Sequence, residues 1–232
     1  MKYVYLFGAG ITEGNANQQD VLGGKGANLA EMANLNIPVP PGFTISTHVC
    51  NMVLKEKKIN KKIVSSTNKA LAIIEKKINK KFGDATNPLL LSVRSGAKIS
   101  MPGMMETVLN IGLTTETIPA LIKKTKNERF VYDSYRRLIM MYADVVMEKS
   151  QEKEEVQIRQ KLELIMEQAK KRKKIKKDSE LNVDDLKKII LKFKKTIKQY
   201  LGSDFPDSYK EQLWGAIEAV FKSWNGKRAV QY

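Results

Sequence analysis

Cysteine and histidine each occur once in 232 residues, as Cys50 and His48. A single cysteine excludes an internal disulfide and a zinc site built from cysteines, so Cys50 is expected to be a buried, inert thiol. A single histidine excludes a metal site with several imidazoles, and any Ser-His or Cys-His machinery would have to run through that one ring. Nothing in THVCNMV, 47–53, suggests that it does, and His48 is expected to be an ordinary helix-start residue. Long apolar runs are missing as well. None approaches the roughly 20 residues of a membrane span, and MKYVYLFGAG is too short and wrongly flanked for a secretory signal. The expectation is a cytoplasmic chain without membrane contact.

Arginine is scarce, although the chain is strongly basic. The net charge is +16, from 41 Lys and Arg against 25 Asp and Glu, yet only 7 of the cations are arginine. Lysine is a flexible point charge and lacks the planar fork that matches phosphate. The densest block, KKRKKIKK at 170–177, carries seven basic residues in eight. With no aromatic side chains between the charges it reads as a solvated helix end or loop, and nucleic acid is not expected as a partner.

The chain divides by pattern. YVYLF at 3–7 predicts a strand. The following Gly8, Gly10 and Gly14 give G-x-G-x-x-x-G, one residue too long for a dinucleotide fingerprint, with no helix directly after them. Ala27 to Leu35 predicts a helix with Leu29, Met32 and Ala33 on one face, ending before Pro38. PPGF turns into a strand FTIST, and 47–81 predicts two helical segments interrupted near 59–61. LLLSVR, 89–94, predicts a strand of the kind buried on both faces.

Beyond it the periodicity becomes helical. The stripes are Leu138, Met141, Tyr142 and Val145; then Leu186, Ile189, Ile190, Phe193 and Ile197; then Leu213, Ile217, Val220, Phe221 and Trp224. Each predicts core packing. Asp184 and Asp185 acidify the start of the second of these helices, and Pro206 suits the first turn of the third. KRAVQY at 227–232 predicts the beginning of a strand. The fold class expected is α/β, or α+β, with an inserted all-helical subdomain: 1–113 with 200–232 as the α/β part, and 114–199 as the insertion.

Two cations stand out. Lys25 follows two glycines at the start of a helix, where backbone N–H groups favour an anion, but the pattern is not a Walker A loop because Gly26 follows the lysine. Arg94 ends a strand and precedes a loop rich in glycine and methionine, SGAKISMPGMM. A guanidinium can bind two phosphate oxygens at once, and glycines let backbone N–H groups approach. On the residues alone two readings stand: half of a polyphosphate cradle, or an Arg94 paired with Glu106 across a simple turn.

LGGKGANLAEM at 22–32, IPVPPGFTIST at 37–47, SVRSGAKISMPGMMETVLNIGL at 92–113, RFVYDSYRRLIMMYADVVM at 129–147 and AVFKSWNGKRAVQY at 219–232 resemble the amino-terminal part of the pyruvate phosphate dikinases. The phosphoenolpyruvate synthases are similar in the first blocks, more loosely. The resemblance implies a partial ATP-grasp domain that binds ATP with Mg2+ and passes the β-phosphoryl group to a histidine on another domain. It implies Lys25 as a phosphate-binding lysine and Arg94 as the catalytic arginine that stabilises the transferring charge. It further implies Gly96, Ser100, Met101, Gly103, Met104 and Thr107 as contacts from a lid over the phosphates. The implied partners are ATP or AMP, phosphate or pyrophosphate, and the phosphohistidine and pyruvate-binding domains of the dikinase.

The family's T-x-x-G-G-x-x-x-H-A-type carrier segment is not in these residues, and the family's magnesium ligands lie in the ATP-grasp half that would follow. The expectation is therefore half an ATP site, with a truncated chain that is not catalytic alone. Rival readings are a basic module for nucleic acid or an acidic partner, and an inactive remnant of the enzyme.

Overall fold

A computed structural model describes residues 1–96, 107–148 and 156–224. The expected strand at 227–232 and most of the expected lid lie outside them. The fold is mixed: short two-stranded pairs combined with eight α-helices among the described residues. No described helix is long and apolar enough to cross a membrane. The chain forms two compact units.

The first unit gathers 1–81, 94–96 and 220–224. Strands β1 (Val4–Phe7) and β2 (Gly42–Ile45) pair antiparallel, with Val4 opposite Ile45 and Phe7 opposite Gly42. Three helices follow the pattern: α1 (Gln19–Asn34), α2 (Thr47–Glu56) and α3 (Lys61–Ile78). Asn60 starts α3 by accepting from the N–H groups of Lys62 and Ile63, and Asn79 ends it in the left-handed conformation. Val49, Cys50, Val53, Ile63, Leu71 and Ile74 are buried beneath.

α1 departs from expectation twice. It starts at Gln19 rather than Ala27, and it is two helical segments joined at Gly23, whose φ of 68° and ψ of 168° lie outside helical space. Its buried face is Leu22, Ala27 and Ala30, whereas Met32 is exposed and Leu29 and Ala33 are half-buried. Small residues face inward because the helix lies close to β2: a Cβ on Gly26 would sit 2.8 Å from the Thr44 hydroxyl. A larger residue on that face would have no room.

The closest approach in this unit is at Gly23. A Cβ built there would sit 1.4 Å from the carbonyl oxygen of Gly96. The backbone at 96 thus fills the space where any other residue would carry its side chain, and the conformation at 23 is one that only glycine adopts readily.

The second unit gathers 82–93 and 107–219. Strand β3 (Lys81–Phe82), within which the chain passes from one unit to the other, pairs with β4 (Pro88–Leu89), and β5 (Leu91–Val93) pairs antiparallel with β6 (Val108–Ile111). The expected single strand over 89–94 is therefore two short pieces. β5 is only half-buried, with Ser92 exposed, because a two-stranded ladder has no second layer on both faces. The register shifts by one residue between Leu91–Ile111 and Val93–Val108, which marks a bulge in β6.

The helices are α4 (Ile118–Thr125), α5 (Glu128–Tyr142), α6 (Ile158–Lys173), α7 (Val183–Leu201) and α8 (Tyr209–Ser223). Leu138, Ile139, Leu162, Leu186, Phe193 and Ile197 make their core. Asn182 and Asp185 cap α7 reciprocally, as the acidic start predicted. α5 continues into a π-helical segment, Ala143–Glu148. The wider turn rotates the stripe, so Val146 is buried and the expected Val145 only half-buried. Glu148 then accepts from Ile158 N–H at 3.0 and 3.1 Å, capping α6. Pro206 lies before α8 rather than in its first turn, and its carbonyl accepts from Gln212.

Two outcomes test this packing. Gly23→Ala places a Cβ on the Gly96 carbonyl in glycine-only backbone space, so it should cost about 2 kcal/mol or more, read as a lowered urea midpoint. Burial pushes the Cys50 thiol from 9.0 up to about 12. Because the folded value is the higher one, this contribution to stability is complete below about pH 9 and is lost as pH rises toward 12. At pH 8 a thiolate-directed reagent should label Cys50 only after denaturant is added.

Candidate functional site

Lys25 lies just past the break at Gly23, in the first turn of the segment that runs on to Asn34. Helix geometry there points the N–H groups of Gly24, Lys25 and Gly26 toward the positive end of the dipole. Residues 21–30 carry one charge, Lys25, and no acid. The Lys25 side chain is half-buried and makes no ion pair among the described residues.

Arg94 follows β5 directly and is exposed. Its guanidinium also has no carboxylate partner among the described residues. Glu106, the alternative partner, lies outside them. Ser95 beside it is 2% exposed, and Trp224 donates its indole N–H to the Ser95 hydroxyl at 3.3 Å.

Contact between the backbones at Gly23 and Gly96 joins these two segments. Consecutive Cα atoms are about 3.8 Å apart, so Lys25 and Arg94, each two residues from the contact, have Cα atoms within about 20 Å of each other. The contact puts a helix start and two cations without carboxylate partners among the described residues on two joined segments of the first unit. Such a set attracts a multiply charged anion.

Of the other residues expected here, Gly96 forms the contact itself. Thr107 is half-buried immediately before β6, in the second unit, so it is not among the residues the first unit brings together. Ser100, Met101, Gly103 and Met104 lie outside the described residues. Sequence reasoning missed Ser95 and placed Trp224 only in an apolar stripe. The structural role of Gly23 was visible merely as one glycine of a pair.

The discarded features stay outside the site. The turn after β1 folds back on its strand: Leu6 N–H donates to the Glu13 carboxylate and Glu13 N–H to the Leu6 carbonyl, each at 2.8 Å. It covers a sheet edge. Clefts of about 560 and 730 Å3 run along α3, and neither is lined by Lys25 or Arg94. In the basic block, Lys170 pairs with Glu167 and Asp178, and Lys173 pairs with Asp185 at 3.2 Å. His48 is exposed in the first turn of α2.

The site does not fit a metal by itself. Lys25 and Arg94 are cations, and no group of three His, Cys, Asp or Glu side chains among the described residues could hold an ion.

Comparison with known proteins identifies the family. The family described as "Pyruvate phosphate dikinase, AMP/ATP-binding domain" matches residues 19–72 and 64–232. The pyruvate, phosphate dikinase of Rhizobium meliloti (strain 1021) is 47% identical over 232 residues, all of this chain and 25% of that protein. The enzyme of the same name from Clostridium symbiosum is 46% identical over 233 residues, again all of this chain and 25% of the relative. The chloroplastic pyruvate, phosphate dikinase 1 of Arabidopsis thaliana is 45% identical over 232 residues, 23% of its length. The chain thus spans about a quarter of the length of the curated relatives it matches. With the family matched along nearly the whole chain and relatives 45–47% identical over all of it, this chain belongs to the pyruvate phosphate dikinase family, within its AMP/ATP-binding domain.

Proposed function

We propose that this chain is the phosphate-holding half of an ATP site in a pyruvate phosphate dikinase. The reaction served is the conversion of ATP, phosphate and pyruvate to AMP, pyrophosphate and phosphoenolpyruvate. The observation that supports this reading is the Gly23–Gly96 contact, which joins the segments carrying Lys25 and Arg94, neither of which has a carboxylate partner among the described residues.

In this reading Lys25 and the N–H groups beside it hold the phosphate chain. Arg94 is the catalytic cation. As the β-phosphoryl group moves to a histidine of another domain, negative charge builds on its oxygens, and a guanidinium already in place stabilises that charge without reorganising. By the family resemblance, the segment that follows Gly96, with Ser100, Met101, Gly103 and Met104, serves as a nearly uncharged lid over the phosphates. Magnesium, which neutralises phosphate oxygens in such transfers, takes its ligands from outside the described residues. The architecture is a partial ATP-grasp domain with 114–199 as a helical insertion. The phosphohistidine and pyruvate-binding steps belong to further domains, and these 232 residues alone are not catalytic.

A basic module reading is less well supported, because Lys170 and Lys173 of the lysine block are engaged with carboxylates of the same unit. Calorimetric titration with MgATP tests the choice. Lys25→Ala and Arg94→Ala should each weaken binding by about 10- to 100-fold, consistent with losing one charge-assisted contact of about 1.5–3 kcal/mol. AMP, with one phosphate, should lose less. Replacing Lys171, Arg172 and Lys174 together should leave ATP affinity unchanged. If that triple replacement abolishes binding and Arg94→Ala does not, the phosphate site is not here.

A further inference from the structure

We infer that Trp224 is a positioning residue for Arg94, acting through Ser95. The inference rests on the reading of Arg94 as a phosphate cation, and it adds a residue to which that reading gives no role.

An exposed arginine binds phosphate well only if its backbone is fixed, since its long side chain must otherwise be ordered at binding. Two contacts fix it here, one on each kind of atom. Gly96 is held by its backbone, wedged into the space above Gly23. Ser95 is held by its side chain: its hydroxyl is buried and accepts the Trp224 indole N–H at 3.3 Å. Both clamped residues follow Arg94 directly, so the direction in which the Arg94 Cα–Cβ bond leaves the chain is set by them.

Trp224 suits this task for a chemical reason. Its N–H donates and cannot accept, so it holds the hydroxyl oxygen in one sense only, and the rigid ring brings that N–H from the end of α8 at little entropic cost. The sequence pattern assigns Trp224 to the apolar stripe of that helix, yet it is half-buried rather than sealed in the core. Its polar atom is directed at the arginine's neighbour. In this arrangement Trp224 touches no nucleotide.

The test is a set of variants of the purified chain, titrated with inorganic tripolyphosphate as the probe. Trp224→Phe keeps the ring and removes the N–H, and Ser95→Ala removes the acceptor. Each should weaken tripolyphosphate binding about fivefold, and the double variant should lose no more than either single one. Their thermal midpoints should stay near that of the parent. In an Arg94→Ala background, Trp224→Phe should change nothing further, which a general loss of structure would not reproduce. Unchanged binding by Trp224→Phe, fully additive losses, or a loss that persists without Arg94 would each overturn the inference while leaving the phosphate site standing. If Arg94→Ala itself binds tripolyphosphate as the parent does, or the parent binds none, the reading of Arg94 falls and this inference falls with it.

Discussion

The site depends on a space that only glycine leaves open. Gly23 breaks α1 in a conformation closed to side chains, and the carbonyl of Gly96 fills the room a Cβ would take. Two consequences follow from that one contact. A helical segment restarts just past Gly23 with Lys25 in its first turn, and the segment behind Arg94 is anchored against it. Charge is then concentrated without a compensating acid between 21 and 30 or between 94 and 96.

The helical unit is built on a different principle. Its apolar core is bordered by polar side chains that each satisfy several partners. Buried Gln212 accepts from Gly112 N–H and donates to the carbonyls of Leu113 and Pro206. Asp207 accepts from Thr115 N–H and from the Tyr135 hydroxyl. Burial and the Asp207 carboxylate together push the Tyr135 hydroxyl far above the usual phenol range, so it stays a donor at any working pH. These bonds tie the start of α8 to the segment after β6, and none of them involves an exposed cation.

Much of this was legible in the amino-acid pattern, and the gaps have physical causes. The strands at 4–7 and 42–45 and the helices over 47–78 follow simple alternation and period, because single faces decide them. Lys25 and Arg94 were visible as cations beside glycines. The buried face of α1 was not, since it is lined by Gly26, Ala27 and Ala30, and small residues report close approach rather than hydrophobicity. Val145 was misplaced because the π-helical segment after Tyr142 changes the period, which no propensity marks. Trp224 was read as core because an indole is mostly apolar surface; its one polar atom matters only once Ser95 lies beside it in space. Contacts between residues 73 or 129 positions apart, such as Gly23–Gly96 and Ser95–Trp224, are set by the fold and leave no local trace.

The most direct test of the account is a map of backbone amide chemical shifts in the labelled chain as ATP is added. The account predicts the largest changes at Gly24, Lys25, Gly26 and Gly96, together in one titration and with one midpoint. Changes centred instead on Lys61, Lys62 and Lys69 along α3, with 24–26 and 94–96 unmoved, would contradict it.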